Sequence, residues 1–295
     1  MNGRWKPVED QLNNIHQSKI HFVSSHSIAG GCINQAWKLT DSQGNVWFLK
    51  ENAPALLSMF EAEAAGLEAI DQSQTIRVPK PVCYGKTHEF SYLLLEYIPI
   101  QGSINQKASG EQLANMHQVM HPENRHGWHL DNTIGSTPQI NTLTTDWVSF
   151  WQKHRLGFQL ELARQKGYAD RDYAAGIKLL EALPHFFSDY RPQPSLLHGD
   201  LWSGNCASDD KNNPLIFDPA LYYGDRETDI AMTELFGGFN QVFYDAYNAV
   251  YPLDSGYKTR KTLYNLYHIL NHFNLFGGGY ASQAAAMTQR LLSEV

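Results

Sequence analysis

The chain has little cysteine: three residues, Cys32, Cys83 and Cys206, in 295. An odd number without metal-ligand spacing excludes a disulfide scaffold or a zinc cluster and fits reduced thiols in a reducing compartment. Long hydrophobic runs are also missing. The longest, near Tyr92 to Leu95, is far short of the roughly 20 residues that span a bilayer, and the opening Met-Asn-Gly-Arg-Trp-Lys-Pro has no apolar signal core. A cytoplasmic protein with no membrane partner is the expectation. Positive charge is scarce, 23 Lys and Arg against 30 Asp and Glu, giving a net charge of -7 with no basic cluster, which argues against a nucleic-acid partner. No internal repeat and no low-complexity segment is present.

What is there is an ordinary globular composition, 42% hydrophobic and 18% charged, long enough for one large or two modest domains with buried cores. Two short apolar runs, 195–197 and 215–217, read as buried strands that each deliver polar residues at their ends. The first leads into His198-Gly199-Asp200-Leu201-Trp202-Ser203-Gly204-Asn205, the second into Asp218-Pro219-Ala220. Asp200, Asn205 and Asp218 are therefore expected to converge. One carboxylate to accept a hydroxyl proton, with an amide and a second carboxylate to hold magnesium against phosphates, is the equipment for phosphoryl transfer from Mg-ATP. The protein-kinase loop H-R-D-L-x-x-x-N is matched from His198 to Asn205, with Gly199 in place of Arg.

Upstream, Val8, Leu12 and Ile15 recur at helical spacing, and strands follow at 21–27, 33–39 and 46–50, with Gly30-Gly31 in the first turn. Lys50 closes the third strand, where V-A-I-K places the phosphate-binding lysine of kinases. In the helix expected over 58–71, Glu63 lies on the apolar face with Phe60, Leu67 and Ile70, while Glu61 and Glu68 face away. A buried carboxylate needs a cation, so Glu63 is assigned to Lys50 as its ion-pair partner. Two more strands, 82–84 and 91–97, complete a five-stranded sheet. Thereafter the pattern is helical, with a long helix opening at Asp146-Trp147 and a buried one near 264–276. Asp229 reads as the N-cap of a helix around 230–236. His268 and His272 stand at i,i+4, a spacing that serves zinc or, more often, interior packing.

The wording His198 to Asn205, with Phe217-Asp218-Pro219-Ala220 and Tyr223-Gly224-Asp225-Arg226-Glu227-Thr228-Asp229-Ile230-Ala231-Met232, resembles the fructosamine kinase (ketosamine-3-kinase) family. That family belongs to the aminoglycoside phosphotransferase branch of the kinase fold. Asn132-x-Ile134-Gly135-x-x-Pro138-Gln139-x-Asn141, Asp146-Trp147-Val148-x-Phe150 and the segment Leu266 to Gly278 resemble the same family, and Gly30-Gly31-Cys32-Ile33-Asn34 matches its nucleotide loop. The resemblance implies an α+β, bilobal protein-kinase-like fold. Its small, five-stranded antiparallel N-lobe is expected over 1–98, a hinge over 99–103 and a mainly helical C-lobe over 104–295.

It also implies an enzyme that phosphorylates the 3-hydroxyl of the sugar of a ketosamine, free or on a glycated protein lysine, so that the amine is later released by deglycation. Asp200 is then the catalytic base, Asn205 and Asp218 hold Mg2+, Lys50 with Glu63 grips ATP, and Asp229 braces the catalytic loop from behind. Main-chain atoms of Glu96 and Ile98 pair with adenine. Gly30 and Gly31 either press on the phosphates or form a plain hairpin turn. Trp202 stacks on the sugar or packs, and Cys32 is a redox-sensitive lid residue or a small filler of a turn. A monomer or weak homodimer is expected. The rival readings are another small-molecule kinase of this fold, acting on an aminoglycoside, choline or a sugar, and a catalytically silent ATP-binding scaffold.

Overall fold

The computed structural model describes residues 3–28 and 33–295. Gly30, Gly31 and Cys32 lie outside the described residues. Helix α1 (Lys6–His16) precedes strands β1 (Phe22–Ile28), β2 (Gln35–Asp41) and β3 (Val46–Asn52), followed by α2 (Leu57–Ser73), β4 (Pro81–Lys86) and β5 (Ser91–Glu96). The five strands form one antiparallel sheet in the order β1-β2-β3-β5-β4.

Strand β5 explains why both faces of this sheet are covered. Successive side chains of a strand point to opposite sides. Tyr92 and Leu94 accordingly join Val8, Leu12 and Leu49 in a core beneath α1, whereas Leu93 and Leu95 join Phe60, Leu67 and Ile70 of α2 on the other side. Lys50 is not the last residue of its strand, as the sequence pattern had it. Pairing of Glu51 with Tyr92 and of Asn52 with Ser91 carries the ladder two residues further.

The C-terminal portion begins with β6 (Ile100–Gln101) and α3 (Gln106–His117), then a hairpin of β7 (Asn132–Ile134) and β8 (Thr137–Gln139). A long helix follows as α4 (Trp147–Trp151), a π turn (Gln152–Leu156) and α5 (Gly157–Gln165), and then α6 (Asp170–Ala182). Four short strands come next, β9 (Ser195–Leu197), β10 (Cys206–Asp209), β11 (Pro214–Ile216) and β12 (Tyr222–Gly224). Helices α7 (Glu227–Leu235), α8 (Gln241–Val250), α9 (Tyr257–Phe276) and α10 (Tyr280–Leu292) complete the chain. The central α9 buries every residue from Leu263 to Asn271, more than two full turns, so all its sides are covered, as in a core helix. No described helix is long and apolar enough to cross a membrane.

The segment that follows β5 is anchored rather than free. Ile100 and Gln101 pair with Asp209 and Ser208 of β10. Arg77, just before β4, reaches Asp209 at 2.7 Å and Glu96 at 2.9 Å, tying the sheet to the C-terminal strands.

Candidate active site

The apolar runs at 195–197 and 215–217 are strands, but each needed a partner of its own. Strand β9 pairs with β12, Leu197 facing Tyr222, and β11 pairs with β10, Ile216 facing Cys206. The polar residues leave the ends of these two small sheets side by side. Asn205 Nδ2 donates to the Asp200 carbonyl at 2.8 Å and lies 3.4 Å from its Oδ2. The Phe217 amide donates to the Asn205 carbonyl at 3.1 Å. Asp218 Oδ1 takes an ion pair from Lys50 Nζ, and Lys50 also reaches Glu63 Oε1 at 2.5 Å. One ammonium on the five-stranded sheet thus joins α2 to the loop after β11.

Burial opposes the charge on Lys50, but the carboxylates of Asp218 and Glu63 outweigh it, and its pKa is raised. Glu61 and Glu68 are exposed on the far side of α2. Around Asp200 the balance runs the other way. Burial, then the nearby carboxylates of Asp218 and Asp229, push it up to about 7 against the relief from Asn205. A carboxyl poised near neutrality is suited to accept a proton from an alcohol.

The loop carrying Asp200 is held from behind. Asp229 Oδ2 accepts from the His198 amide at 2.7 Å and Oδ1 from the Gly199 amide at 2.9 Å. Asp229 therefore does not serve as the N-cap read from the sequence. It sits inside the first turn of α7, which starts at Glu227. The cap-like bond comes from Asp225, whose Oδ1 accepts from the Glu227 amide at 3.0 Å.

His198 Nε2 faces the Phe217 carbonyl at 2.8 Å, and a carbonyl only accepts, so Nε2 carries the proton. Nδ1 is then the acceptor for the Asp200 amide at 3.3 Å. One imidazole bridges the two loops. Gly199 is where the kinase arginine is missing: its φ is +85°, and a Cβ there would lie 2.0 Å from the Ala220 carbonyl oxygen. Asp218 itself adopts φ +58°, in the left-handed region that Asp tolerates better than most residues.

The sequence reading missed the layer behind Asp229. His117 Nε2 donates to Asp229 Oδ2 at 3.1 Å, and its Nδ1 accepts from Tyr247 at 2.8 Å. Tyr247 in turn accepts from Arg226 at 3.1 Å. His117 is buried in α3 beside Leu113 and Met116, but its partners lie 112 and 130 residues away, so no local signal could have named them.

Trp202 is 40% exposed, its ring laid over Gly204 and its centre 6.4 Å from that of the Phe236 ring, edge to face. Glu96 spends its amide on the Lys80 carbonyl at 2.9 Å, and Ile98 is buried against Ala207 and Leu215. Cys83 and Cys206 are free and buried, and burial pushes their thiols up to about 12 and about 11. His272 Nδ1 lies 2.7 Å from the His268 carbonyl. No group of three or more His, Cys, Asp or Glu side chains able to hold a metal occurs among the described residues. A hard cation shared with phosphates needs only one or two side-chain oxygens, and Asn205 and the half-exposed Asp218 offer that donor set.

The family model described as fructosamine kinase matches residues 4–294. A "probable ketoamine kinase" of Synechocystis sp. is 46% identical over 98% of this chain and 97% of that protein. The chloroplastic protein-ribulosamine 3-kinase of Arabidopsis thaliana is 46% identical over 88% of this chain and 80% of its own. Among solved structures, one from Haemophilus somnus named as a fructosamine-3-kinase superposes with a TM-score of 0.89 at 30% identity, over 98% of both chains. A choline kinase from Streptococcus pneumoniae superposes at 0.62 with 14% identity over 98% of this chain and 99% of that one, a likeness of fold alone.

Proposed function

The chain belongs to the fructosamine kinase family, and from that premise we propose that it transfers the γ-phosphoryl group of ATP to the 3-hydroxyl of a ketosamine sugar. The substrate is a fructosamine or ribulosamine formed on an amine or on a protein lysine, and the phosphorylated product decomposes to free that amine. The observation that carries this reading is the meeting of Lys50, Asp218, Asn205 and Asp200 at the junction of the sheet and the helical portion.

Asp200 orients the acceptor hydroxyl and takes its proton as the oxygen attacks phosphorus. Asn205, tied to Asp200 through Nδ2, would turn its Oδ1 to a magnesium ion, with Asp218 as the second protein ligand. Bound magnesium neutralises the charge of the phosphates. Lys50, steadied by Glu63, grips the phosphates from the sheet side. The carbonyl of Glu96 and the amide of Ile98 would receive adenine, and Gly30 and Gly31 are assigned to the phosphates from sequence alone. Trp202, exposed and two residues from the base, would lie against the sugar.

The test is a parallel incubation with Mg-ATP and a ribulosamine, a fructosamine, choline and an aminoglycoside, with the phosphorylated carbon located by 31P NMR. Phosphorylation of a ketosamine at carbon 3, slowed at least about 100-fold in Asp200→Asn, is the expected result. Turnover confined to choline or the aminoglycoside, or none at all, would overturn the proposal.

A further inference from the structure

The hairpin β7–β8 carries Asn132, Ile134, Gly135, Pro138 and Gln139, a run the chemistry above leaves without a task. Its two carboxamides point at the loop that bears Asp218. Gln139 Nε2 donates to the Ala220 carbonyl at 3.0 Å, and Asn132 Nδ2 donates to the Leu221 carbonyl at 2.8 Å. From the opposite side the Ala220 amide donates to the His198 carbonyl at 2.9 Å, and Gly199 leaves the room in which the Ala220 carbonyl lies. The two residues that follow Asp218 and Pro219 are thus gripped between the catalytic loop and the hairpin.

Neither carboxamide is free to turn over. The second hydrogen of Gln139 Nε2 goes to Asn132 Oδ1 at 2.8 Å, and Gln139 Oε1 accepts from Tyr267 at 2.7 Å. Asn132 Oδ1 also accepts from Asn141 Nδ2 at 3.1 Å, while Asn141 Oδ1 accepts from Arg155 at 2.6 Å. A flip of either amide would set acceptor against acceptor. Arg155 is fully buried, lies 4.5 Å from the centre of the Phe150 ring and 4.1 Å from that of Tyr222, and has no carboxylate partner among the described residues. Burying a guanidinium and three carboxamides is a poor way to gain stability, since an apolar core of the same volume does as well or better. Such a network is a good way to fix one orientation.

We infer that Gln139 and Asn132 are positioning residues for the metal-binding loop: the hairpin clamps the Ala220 and Leu221 carbonyls and so sets where the Asp218 carboxylate stands relative to Asn205 and Asp200. The inference rests on the reading of Asp218 as a magnesium ligand. It assigns neither residue a contact with the ketosamine. Partners that orient metal ligands typically alter metal affinity or activity by about 10- to 100-fold when removed.

The test uses Gln139→Met, which keeps the volume and loses the donor, and Tyr267→Phe, which removes only the hydroxyl that orients Gln139. Free Mn2+ is followed by its EPR signal in titrations of the protein with ADP, alongside ketosamine kinetics at varied Mg2+ and the melting temperature. The expected result is Mn2+ affinity reduced about 10- to 100-fold in Gln139→Met and less in Tyr267→Phe. The Mg2+ needed for half-maximal rate should rise in step, with an unchanged KM for the ketosamine. Mn2+ affinity within twofold of the parent, a raised ketosamine KM with normal Mn2+ affinity, or loss of folding in both variants would overturn the clamp. A parent protein that binds Mn2+ with ADP yet ignores ketosamines would refute the substrate reading and leave this readout intact. A parent that binds no Mn2+ with ADP would instead sink the magnesium reading on which the clamp depends.

Discussion

Replacing Gly199 by alanine tests the geometry of the site with a single methyl group. Two costs can be worked from the backbone. At φ +85° an L-residue pays about 1–2 kcal/mol for the left-handed conformation. The added Cβ would meet the Ala220 carbonyl oxygen at 2.0 Å, where real Cβ contacts essentially never fall under 3.0 Å, so one of the two loops must move by the difference of 1.0 Å (3.0 − 2.0) or more. The neighbour is backbone, held by His198 and by Gln139, and it has no rotamer to escape into.

A misplacement of about 1 Å in a catalytic constellation can cost about 100-fold in rate, which is about 2.7 kcal/mol of barrier. A total destabilisation of about 2–4 kcal/mol would lower the melting temperature by roughly 3–7 °C at this chain length. Purified Gly199→Ala should therefore remain folded at 20 °C, by circular dichroism, with kcat on a ketosamine down about 100-fold. Wild-type kcat with an unchanged melting curve would refute the argument, because it would mean the two loops are not in contact as described.

The base should show itself in the pH dependence. With Asp200 pushed up to about 7 by burial and its acidic neighbours, only the deprotonated form accepts the hydroxyl proton, so kcat/KM should fall as pH drops through an acid limb at or below about 7. Asp200→Asn should lower kcat by roughly 10² to 10⁴ while leaving nucleotide binding in an equilibrium titration. A pH-independent rate from 5 to 8 would contradict the assignment. A structural counterpart lies in α9: Arg260 meets the fully buried Glu227 at 2.7 and 3.0 Å. Arg260→Leu should destabilise by about 3–5 kcal/mol in denaturant titrations, because it leaves a buried charge unpaired. Burial, then Asp225, raise Glu227 to about 7 even with its partner present. A carboxyl raised above its unfolded value of 4.5 contributes stability that is present at low pH and lost as pH rises through 7. The variant's deficit should thus be smaller at pH 5 than at pH 8, and a deficit that grows on acidification would refute the pairing argument.

Much of the molecule was legible in one dimension. The catalytic wording from His198 to Asn205, the apolar stripe that set Glu63 apart from Glu61 and Glu68, and the five-strand pattern are local: periodicity and short spacing express what a strand end or a helix face must do. For that reason the inward placement of Glu63 could be read before its partner was seen, and the structure brings Lys50 to it across 13 residues of sequence. Strand ends were less legible. Lys50 lies inside β3 because the length of a ladder is decided by the neighbouring strand, here β5.

What tertiary structure alone decided are the long-range polar contacts. By its local pattern Asp229 reads as a helix cap, since an acid ahead of an apolar run often is one; the family resemblance alone pointed it at the catalytic loop, and its oxygens do turn to amides 30 and 31 residues back in the chain. His117, Arg155 and the carboxamides of Asn132 and Gln139 carry no periodic signature that names a partner. A hydrogen bond is satisfied by whatever the folded chain brings within about 3 Å, and only the packing of hairpin, loops and α9 into one place determines which donor meets which acceptor. By itself the sequence marked the residues to which the chemistry is assigned; folding determined how firmly each is held, because apolar period is a property of neighbours in the chain and hydrogen-bond satisfaction is a property of neighbours in space.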